Sequence, residues 1–122
     1  TAEYPELRRL RQRVYSSHAR IREKMESLLE SEEMEHMLQD RFYTVRADRY
    51  VLPIKVSHKN VAGGIIHDAS GSGQTAFIEP TGIIPLNNEV KLAEGELRRE
   101  ERRILIAHRR WPLPAVRAAL PM

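Results

Sequence analysis

The sequence predicts an α+β fold in which two long helices flank a small four-stranded sheet. Apolar residues recur at seven-residue spacing towards both ends of the chain, and the spacing changes to alternation between them. The first pattern is typical of helices that pack along a narrow seam, and the second of strands. We therefore expect two antiparallel, coiled-coil-like helices with an inserted antiparallel β meander. The predicted segments are 1–40 for the first helical half, 41–81 for the sheet, 82–110 for the second helical half and 111–122 for a tail.

The first helix is predicted over residues 5–38. Pro5 suits a first turn, where its missing N–H leaves no helical hydrogen bond unmade. The rest of this helix surface is charged, so the helix needs a partner along its narrow apolar stripe to be stable. The predicted seam residues are Leu7, Val14, Ile21 and Leu28.

The second helix is predicted over residues 86–109. Asn87 or Asn88 could cap its first turn, because an asparagine side chain accepts hydrogen bonds from the free backbone N–H groups there. Since the two apolar stripes have similar lengths, we expect each helix to cover the other in an antiparallel pair. The predicted seam residues of this helix are Val90, Leu97 and Ile104.

The middle of the chain predicts four short strands, at residues 42–46, 50–56, 64–68 and 74–79. Tight connections between them favour a meander, in which each strand pairs with the next along the chain. Pro53 removes one donor from the second strand, which favours an edge position or a bulge.

Composition limits the class of protein. The chain has 122 residues, of which 30% are charged and 6% aromatic, so an elongated molecule is expected rather than a large round core. There is no cysteine, which excludes disulfides and thiolate metal sites. No apolar run approaches the roughly 20 residues of a membrane span. The chain begins without Met and ends on Pro121-Met122, so we expect it to be part of a larger protein.

Charge is distributed unevenly along the chain. Residues 41–64 carry five basic residues and one acidic residue, whereas residues 22–40 carry two basic and seven acidic residues. A basic middle beside an acidic helix end favours contact of one end of the molecule with a polyanion. The alternative is a surface on which the two signs merely alternate.

The segment Gly64–Pro80 contains residues that suggest chemistry. A phosphate-binding P-loop is excluded, because no lysine follows Gly73 and a strand pattern comes next. A triad of His67, Asp68 and Ser70 is disfavoured, because adjacent strand residues point to opposite faces. The five histidines of the chain also lack metal-ligand spacing. The segment is therefore interpreted as a hairpin with a Gly-Ser turn, and no catalytic or metal-binding residue is predicted.

Three segments together resemble the second bacterial MutS family, the MutS-like paralogues that carry a C-terminal Smr domain. They are RYVLPIKV from Arg49, GIIHDASGSGQTAFIEP from Gly64 and LNNEVKLAEGELRREERRIL from Leu86. Their order and spacing agree with the family over much of the chain. Ala69, Gly71 and Gln74 are small departures from its pattern.

The resemblance implies that the helices form a lever and the sheet a clamp that closes around DNA with the clamp of a second subunit. The parent is expected to be a homodimer in the bacterial cytoplasm, associated with the nucleoid. It would carry an ATPase domain that uses ATP and Mg²⁺ and an Smr endonuclease domain, and neither motif is present in this sequence. The family acts on branched DNA and suppresses homologous recombination. This segment is therefore expected to be a non-catalytic, cofactor-free clamp that binds DNA independently of sequence.

Basic and amide side chains of the predicted sheet would contact phosphates. Two alternatives stay open. The segment could be a dimerisation or lever module without nucleic-acid contact, or a ribosome-binding arm, since some family members are linked to stalled or collided ribosomes. The candidate contacts are Arg46, Arg49, Lys55, His58, Lys59, Asn60 and Gln74.

Overall fold

The computed structural model describes residues 4–110, which divide into two compact units, 4–18 with 89–110 and 19–88. The helices and strands of this part of the chain confirm the predicted α+β class. No helix within it is long and apolar enough to cross a membrane. The predicted tail, 111–122, lies outside the described residues. The elements are α1 (Pro5–Leu29), α2 (Glu32–Met37), β1 (Thr44–Arg46), β2 (Arg49–Lys55), α3 (Lys59–Ala62), β3 (Ile65–Ala69), β4 (Thr75–Glu79) and α4 (Ile84–Arg110).

The unit formed by residues 4–18 and 89–110 contains the ends of both long helices. Leu7 and Ile104 are buried together there, and His18 Nε2 lies 3.2 Å from Glu94 Oε2. The contact of the later α1 residue, His18, is with the earlier α4 residue, so the two helices run in opposite directions. This confirms the antiparallel pairing in this unit. Tyr4 and Leu97 pack against the buried pair. The other predicted seam residues are buried or half-buried in the chain, and their role in a lever or a dimer stays a prediction: Val14, Ile21, Leu28 and Val90.

The first helix ends at Leu29 and not at residue 38, so the prediction of one continuous helix is wrong. Ser31 has an extended backbone with φ −75° and ψ 143°, and its hydroxyl accepts a hydrogen bond from the Met34 N–H at 3.2 Å. This is the geometry of a helix N-cap, because the side chain satisfies a donor that has no helical partner. A new helix, α2, therefore begins at residue 32.

The second long helix begins at Ile84, two residues before its predicted start. A 3₁₀ turn, Thr81–Ile83, leads into it from Pro80. The predicted capping role of Asn87 or Asn88 is wrong, because both residues lie inside the helix. Asn87 is buried, and its side chain makes hydrogen bonds to the sheet instead.

The four strands form one antiparallel sheet in the order β1-β2-β4-β3, which corrects the predicted meander. β2 and β3 each run antiparallel to β4, so they are parallel to each other and residues 56–64 cross between them. Burial explains the order: most side chains of β2 and β4 are buried on both faces, whereas those of β3 are largely exposed. The more apolar strands therefore occupy the centre of the sheet.

Pro53 lies in a central strand, contrary to the predicted edge or bulge. Its carbonyl accepts a hydrogen bond from the Gln39 N–H at 2.9 Å, and β1 pairs with β2 only as far as Val51. The N–H and C=O of one antiparallel strand residue point to the same side. The nitrogen of Pro53 therefore lies on the β1 side of β2, beyond the last residue pair between these two strands. Its missing N–H costs no hydrogen bond of the sheet.

Both hairpin turns agree with the sequence. Ala47 and Asp48 have φ values of 52° and 63°, as the two central residues of a primed turn require. In the second hairpin the Ser70 N–H donates to the Thr75 carbonyl at 2.9 Å, and Gly73 has a φ of 75°. The Gly-Ser segment is thus a hairpin turn, as predicted.

Candidate nucleic-acid interface

The structure places the predicted nucleic-acid contacts at two ends of β2. Arg46 and Arg49 are register partners at its start, whereas Lys55 is its last residue. Six residue steps along a strand separate the two ends of β2 by about 20 Å, at roughly 3.3 Å per residue. The predicted set is therefore not one continuous patch.

The second group forms a cluster that we call the basic tip. Lys55 is the register partner of Thr75, and the Val56 N–H donates to the Gln74 carbonyl at 2.9 Å, so Gln74 lies beside the end of β2. The chain continues through a 3₁₀ turn, Val56–His58, directly into α3. The basic tip consists of Lys55, His58, Lys59, Asn60 and Gln74.

The cations of the basic tip face solvent without acidic partners. Within residues 4–110, neither Lys55 nor Lys59 forms an ion pair. The Nδ1 atom of His58 lies 3.1 Å from the Ser57 hydroxyl. Because the two ammonium charges are not neutralised inside the chain, they are available to an anion from solution.

Arg49 has a different environment. Its Nε lies 3.2 Å and 3.1 Å from the two carboxylate oxygens of Glu79, and its Nη2 donates to the same carboxylate. Glu79 is completely buried, and the Arg49 side chain is only 17% exposed. A guanidinium that is paired and mostly buried in this way offers little surface to a phosphate, and the predicted nucleic-acid contact of Arg49 stays a prediction.

Two further side chains donate to the same carboxylate. His67 Nε2 lies 2.7 Å from one oxygen of Glu79, and Asn87 Nδ2 donates to the other at 2.9 Å. The Asn87 amide also accepts from the Tyr50 N–H at 3.0 Å and donates to the Tyr50 carbonyl at 3.1 Å. The Glu79 carboxylate thus joins β2, β3, β4 and the first turns of α4. We call this group the Glu79 network.

The Glu79 network keeps its carboxylate ionised. Burial by itself raises the pKa of Glu79, but the hydrogen bonds from Arg49, His67 and Asn87 together outweigh burial and hold the pKa below its usual value of 4.5. A general acid or base works best with a pKa near the operating pH. The pKa of the Glu79 carboxylate is lowered, and the carboxylate links three strands and one helix. It is therefore suited to stabilising the fold and not to proton transfer.

Arg46 lies on the face of the sheet. Its guanidinium carbon is 4.4 Å from the centre of the Phe77 ring, and its Nε is 3.3 Å from an Asp68 oxygen. This stacked and paired arrangement holds the side chain over the sheet. The Arg46 side chain is 39% exposed, so it retains a solvent-facing edge, but Asp68 balances its charge.

The prediction that His67 and Asp68 point to opposite faces is wrong. The register of β3 shifts between Ile66 and Asp68, so an extra residue is inserted there as a β-bulge. Asp68 lies opposite Phe77, and His67 contacts Glu79, two residues further along β4 on the same face. The two side chains nevertheless have different partners, and the Ser70 hydroxyl accepts from the Thr75 N–H, so no triad converges.

Sequence reasoning missed the Glu79 network. It offered Asn87 only as a possible helix cap. One signal was present, because each of the three family-like segments contributes a residue: Arg49 from the first, His67 and Glu79 from the second, and Asn87 from the third. Within residues 4–110 no cluster of three or more acidic, histidine or cysteine residues is arranged to hold a metal ion.

The residues that carry the resemblance to the second bacterial MutS family meet on one carboxylate, since Arg49, His67 and Asn87 all contact Glu79. No family model matches the chain. Curated relatives named Endonuclease MutS2 do match. The Geobacillus sp. (strain WCH70) protein is 46% identical over 99 residues, which are 81% of this chain and 13% of that protein. The Bacillus cytotoxicus protein is 45% identical over 100 residues, or 82% of this chain and 13% of that protein.

A Bacillus mycoides (strain KBAB4) protein of the same name is 44% identical over 100 residues, again 82% of this chain. The resemblance to the second bacterial MutS family, inferred from the three motif segments, is therefore confirmed: the chain matches a segment of Endonuclease MutS2 proteins. It spans about 13% of the length of the curated relatives it matches.

Proposed function

We propose that this segment is a non-catalytic DNA-binding module of a larger MutS2-like protein, and that the basic tip contacts the phosphate backbone. The name of the relatives, Endonuclease MutS2, supports a parent that acts on nucleic acid. By the same resemblance the parent would be a dimeric ATPase that acts on branched DNA, with the sheet as its clamp and the helices as its lever.

The observation that carries the proposal is the pair of unneutralised lysines at one end of the sheet. Asn60 follows Lys59 in the chain and Gln74 precedes Thr75, the register partner of Lys55, and both amide side chains are exposed. Lysine and amide groups are common donors to phosphate oxygens, and such contacts position a protein on DNA without reading its sequence. We assign Arg46 and Arg49 a lesser role than the two lysines, because acidic partners within the chain already balance their charges.

Fluorescence anisotropy with labelled duplexes of two unrelated sequences tests the proposal. Titration should extend to about 1 mM protein, beyond the range of roughly 10⁻⁴ to 10⁻⁶ M that is typical of non-specific binding. The double variant Lys55→Gln with Lys59→Gln should weaken binding to both duplexes. If both lysines contact phosphate, the slope of log K against log salt should fall by about 1.8, at about 0.9 per contact.

The matched control is Lys24→Gln with Lys91→Gln, which changes the net charge equally at lysines outside the basic tip. This control should leave the salt slope unchanged. Equal losses in both double variants, or no salt-dependent binding by the wild type, would reject the proposal. Binding that survives substitution at Lys55 and Lys59 would favour a lever or dimerisation module, and tighter binding to duplex RNA would favour a ribosomal partner.

A further inference from the structure

Val61 is 76% exposed, the highest value among the large apolar side chains of residues 4–110. It lies in α3, directly after Lys59 and Asn60 of the basic tip, and no residue of this short helix is buried. A valine that stays in water contributes almost nothing to the hydrophobic stabilisation of the fold. The helix therefore presents this side chain to the outside instead of packing it.

The crossover that carries Val61 ends in a close approach of its backbone to the sheet. Gly63 and Gly64 have φ values of 73° and 97°, which turn the chain from α3 into β3. A Cβ placed on Gly64 would lie only 2.1 Å from the Glu79 carbonyl oxygen, so the backbone approaches β4 more closely than any other residue type would allow. Val61 thus lies three residues before the point where the crossover meets β4. Three further exposed apolar residues flank it along the crossover and β3: Val56, Ile65 and Ile66.

We propose that Val61 is an apolar wedge that contacts an unstacked base step of DNA while the basic tip holds the flanking phosphates. This inference rests on the proposed function and adds a preference for duplexes whose base stack is interrupted. Proteins that deform DNA insert aliphatic side chains between base steps next to their phosphate contacts. A nick, gap or branch point has already lost part of its stacking, so a wedge opens it at lower cost than an intact step.

The chemistry of the surface favours a duplex over a single strand. Sequence-tolerant contacts to single-stranded DNA or RNA depend on stacking of bases against aromatic rings. Apart from the imidazole of His58, the basic tip and Val61 include no aromatic ring. The aliphatic side chain of Val61 fits a groove and the edge of a base step better than it fits a base turned out of the stack.

Three probes of one DNA sequence test the wedge: an intact duplex, a duplex with a one-nucleotide gap, and the gapped duplex with 2-aminopurine beside the gap. The wild-type chain should bind the gapped probe more tightly than the intact one and raise the 2-aminopurine fluorescence. Val61→Ala should weaken gapped-DNA binding about tenfold, the order expected for two methyl groups lost from an apolar contact. It should change intact-duplex binding by less than about twofold and abolish the fluorescence rise.

The matched control is Val45→Ala, which removes the same atoms from another exposed valine, 47% exposed on β1. It should change neither probe, and both variants should keep the wild-type circular dichroism and thermal midpoint. A gap preference that survives Val61→Ala would overturn the wedge and leave the proposed function standing, as would an equal loss on both probes. Absence of DNA binding by the wild type would reject the proposed function itself. Tighter, Val61-dependent binding to a gapped RNA duplex or an acidic polypeptide would assign the surface to that partner and overturn the inference.

Discussion

Replacing Glu79 with glutamine should destabilise the unit formed by residues 19–88. The substitution keeps the size of the side chain and removes its charge. Arg49, His67 and Asn87 all donate to the two oxygens of this carboxylate. A glutamine offers one oxygen and turns an NH₂ group towards these donors, so at least one of them is left without an acceptor in a buried place.

The size of the effect follows from burial. Removing one partner of a buried ion pair typically costs about 3–5 kcal/mol, because the other charge stays behind unpaired. Glu79 is fully buried but Arg49 retains 17% exposure, so water can reach part of the guanidinium. We therefore expect the lower end of the range, a loss of about 3 kcal/mol in the free energy of unfolding at neutral pH.

The loss should depend on pH in a defined direction. The pKa of Glu79 is lower in the folded chain than its usual value of 4.5, because the three donors outweigh the opposing effect of burial. The unfolded chain therefore binds this proton more readily, and the carboxylate stabilises the fold fully only above the unfolded pKa. The stability difference between wild type and Glu79→Gln should be constant above about pH 5 and shrink as the pH falls through the lowered folded pKa.

Urea unfolding at a series of pH values measures this difference, with hydrogen exchange of β2 and β4 amides as the local readout for this unit. The control is Glu6→Gln, which removes an exposed carboxylate paired with Arg9. Its effect on stability should be too small to measure, because water screens such pairs. A change of less than about 1 kcal/mol in Glu79→Gln, or a difference that grows towards acid pH, would refute the structural role of the network.

Other substitutions test the turns of the same unit. Gly64→Ala should destabilise this unit by more than about 2 kcal/mol, because a positive φ and a clash with the Glu79 carbonyl act together. Gly73 also has a positive φ, but a Cβ placed on it would meet no atom within 4 Å. Gly73→Ala should therefore cost only about 1 kcal/mol. Equal losses in the two thermal unfolding curves would contradict the close approach at Gly64. The pair Ala47→Asn with Asp48→Gly should raise the unfolding free energy by about 1 kcal/mol, because both positions have positive φ and Asn-Gly suits such a turn. No gain in the urea midpoint would argue against a primed turn there.

Local patterns in the sequence predicted the elements because their causes are local. Seven-residue spacing predicted both long helices, and alternation with Gly-Ser and Ala-Asp turns predicted strands within a few residues of their observed ends. The break after Leu29 was also readable in principle, since Ser31 is a good capping residue. It was missed because the charged helical pattern continues through it.

Strand order, by contrast, depended on which surfaces could be buried together. The alternation in β3 and β4 predicts two strands but not that β4 lies between β2 and β3, because pairing partners far apart in sequence leave no periodic signal. The bulge at His67 has the same origin. The bulge places the side chains of His67 and Asp68 on one face of the sheet, whereas regular alternation would place them on opposite faces.

The sequence by itself determined the composition of the chain, the presence of two long helices, the two hairpins and the resemblance to the family. Only the tertiary structure decided which charges are free. In the sequence alone, the basic residues of this segment cannot be told apart by their partners. The fold places the buried Glu79 carboxylate beside Arg49 and places Asp68 beside Arg46. It leaves Lys55 and Lys59 without an ion pair within residues 4–110. A charge becomes available to a partner only when the fold brings no opposite charge to it, and that depends on contacts between distant parts of the chain.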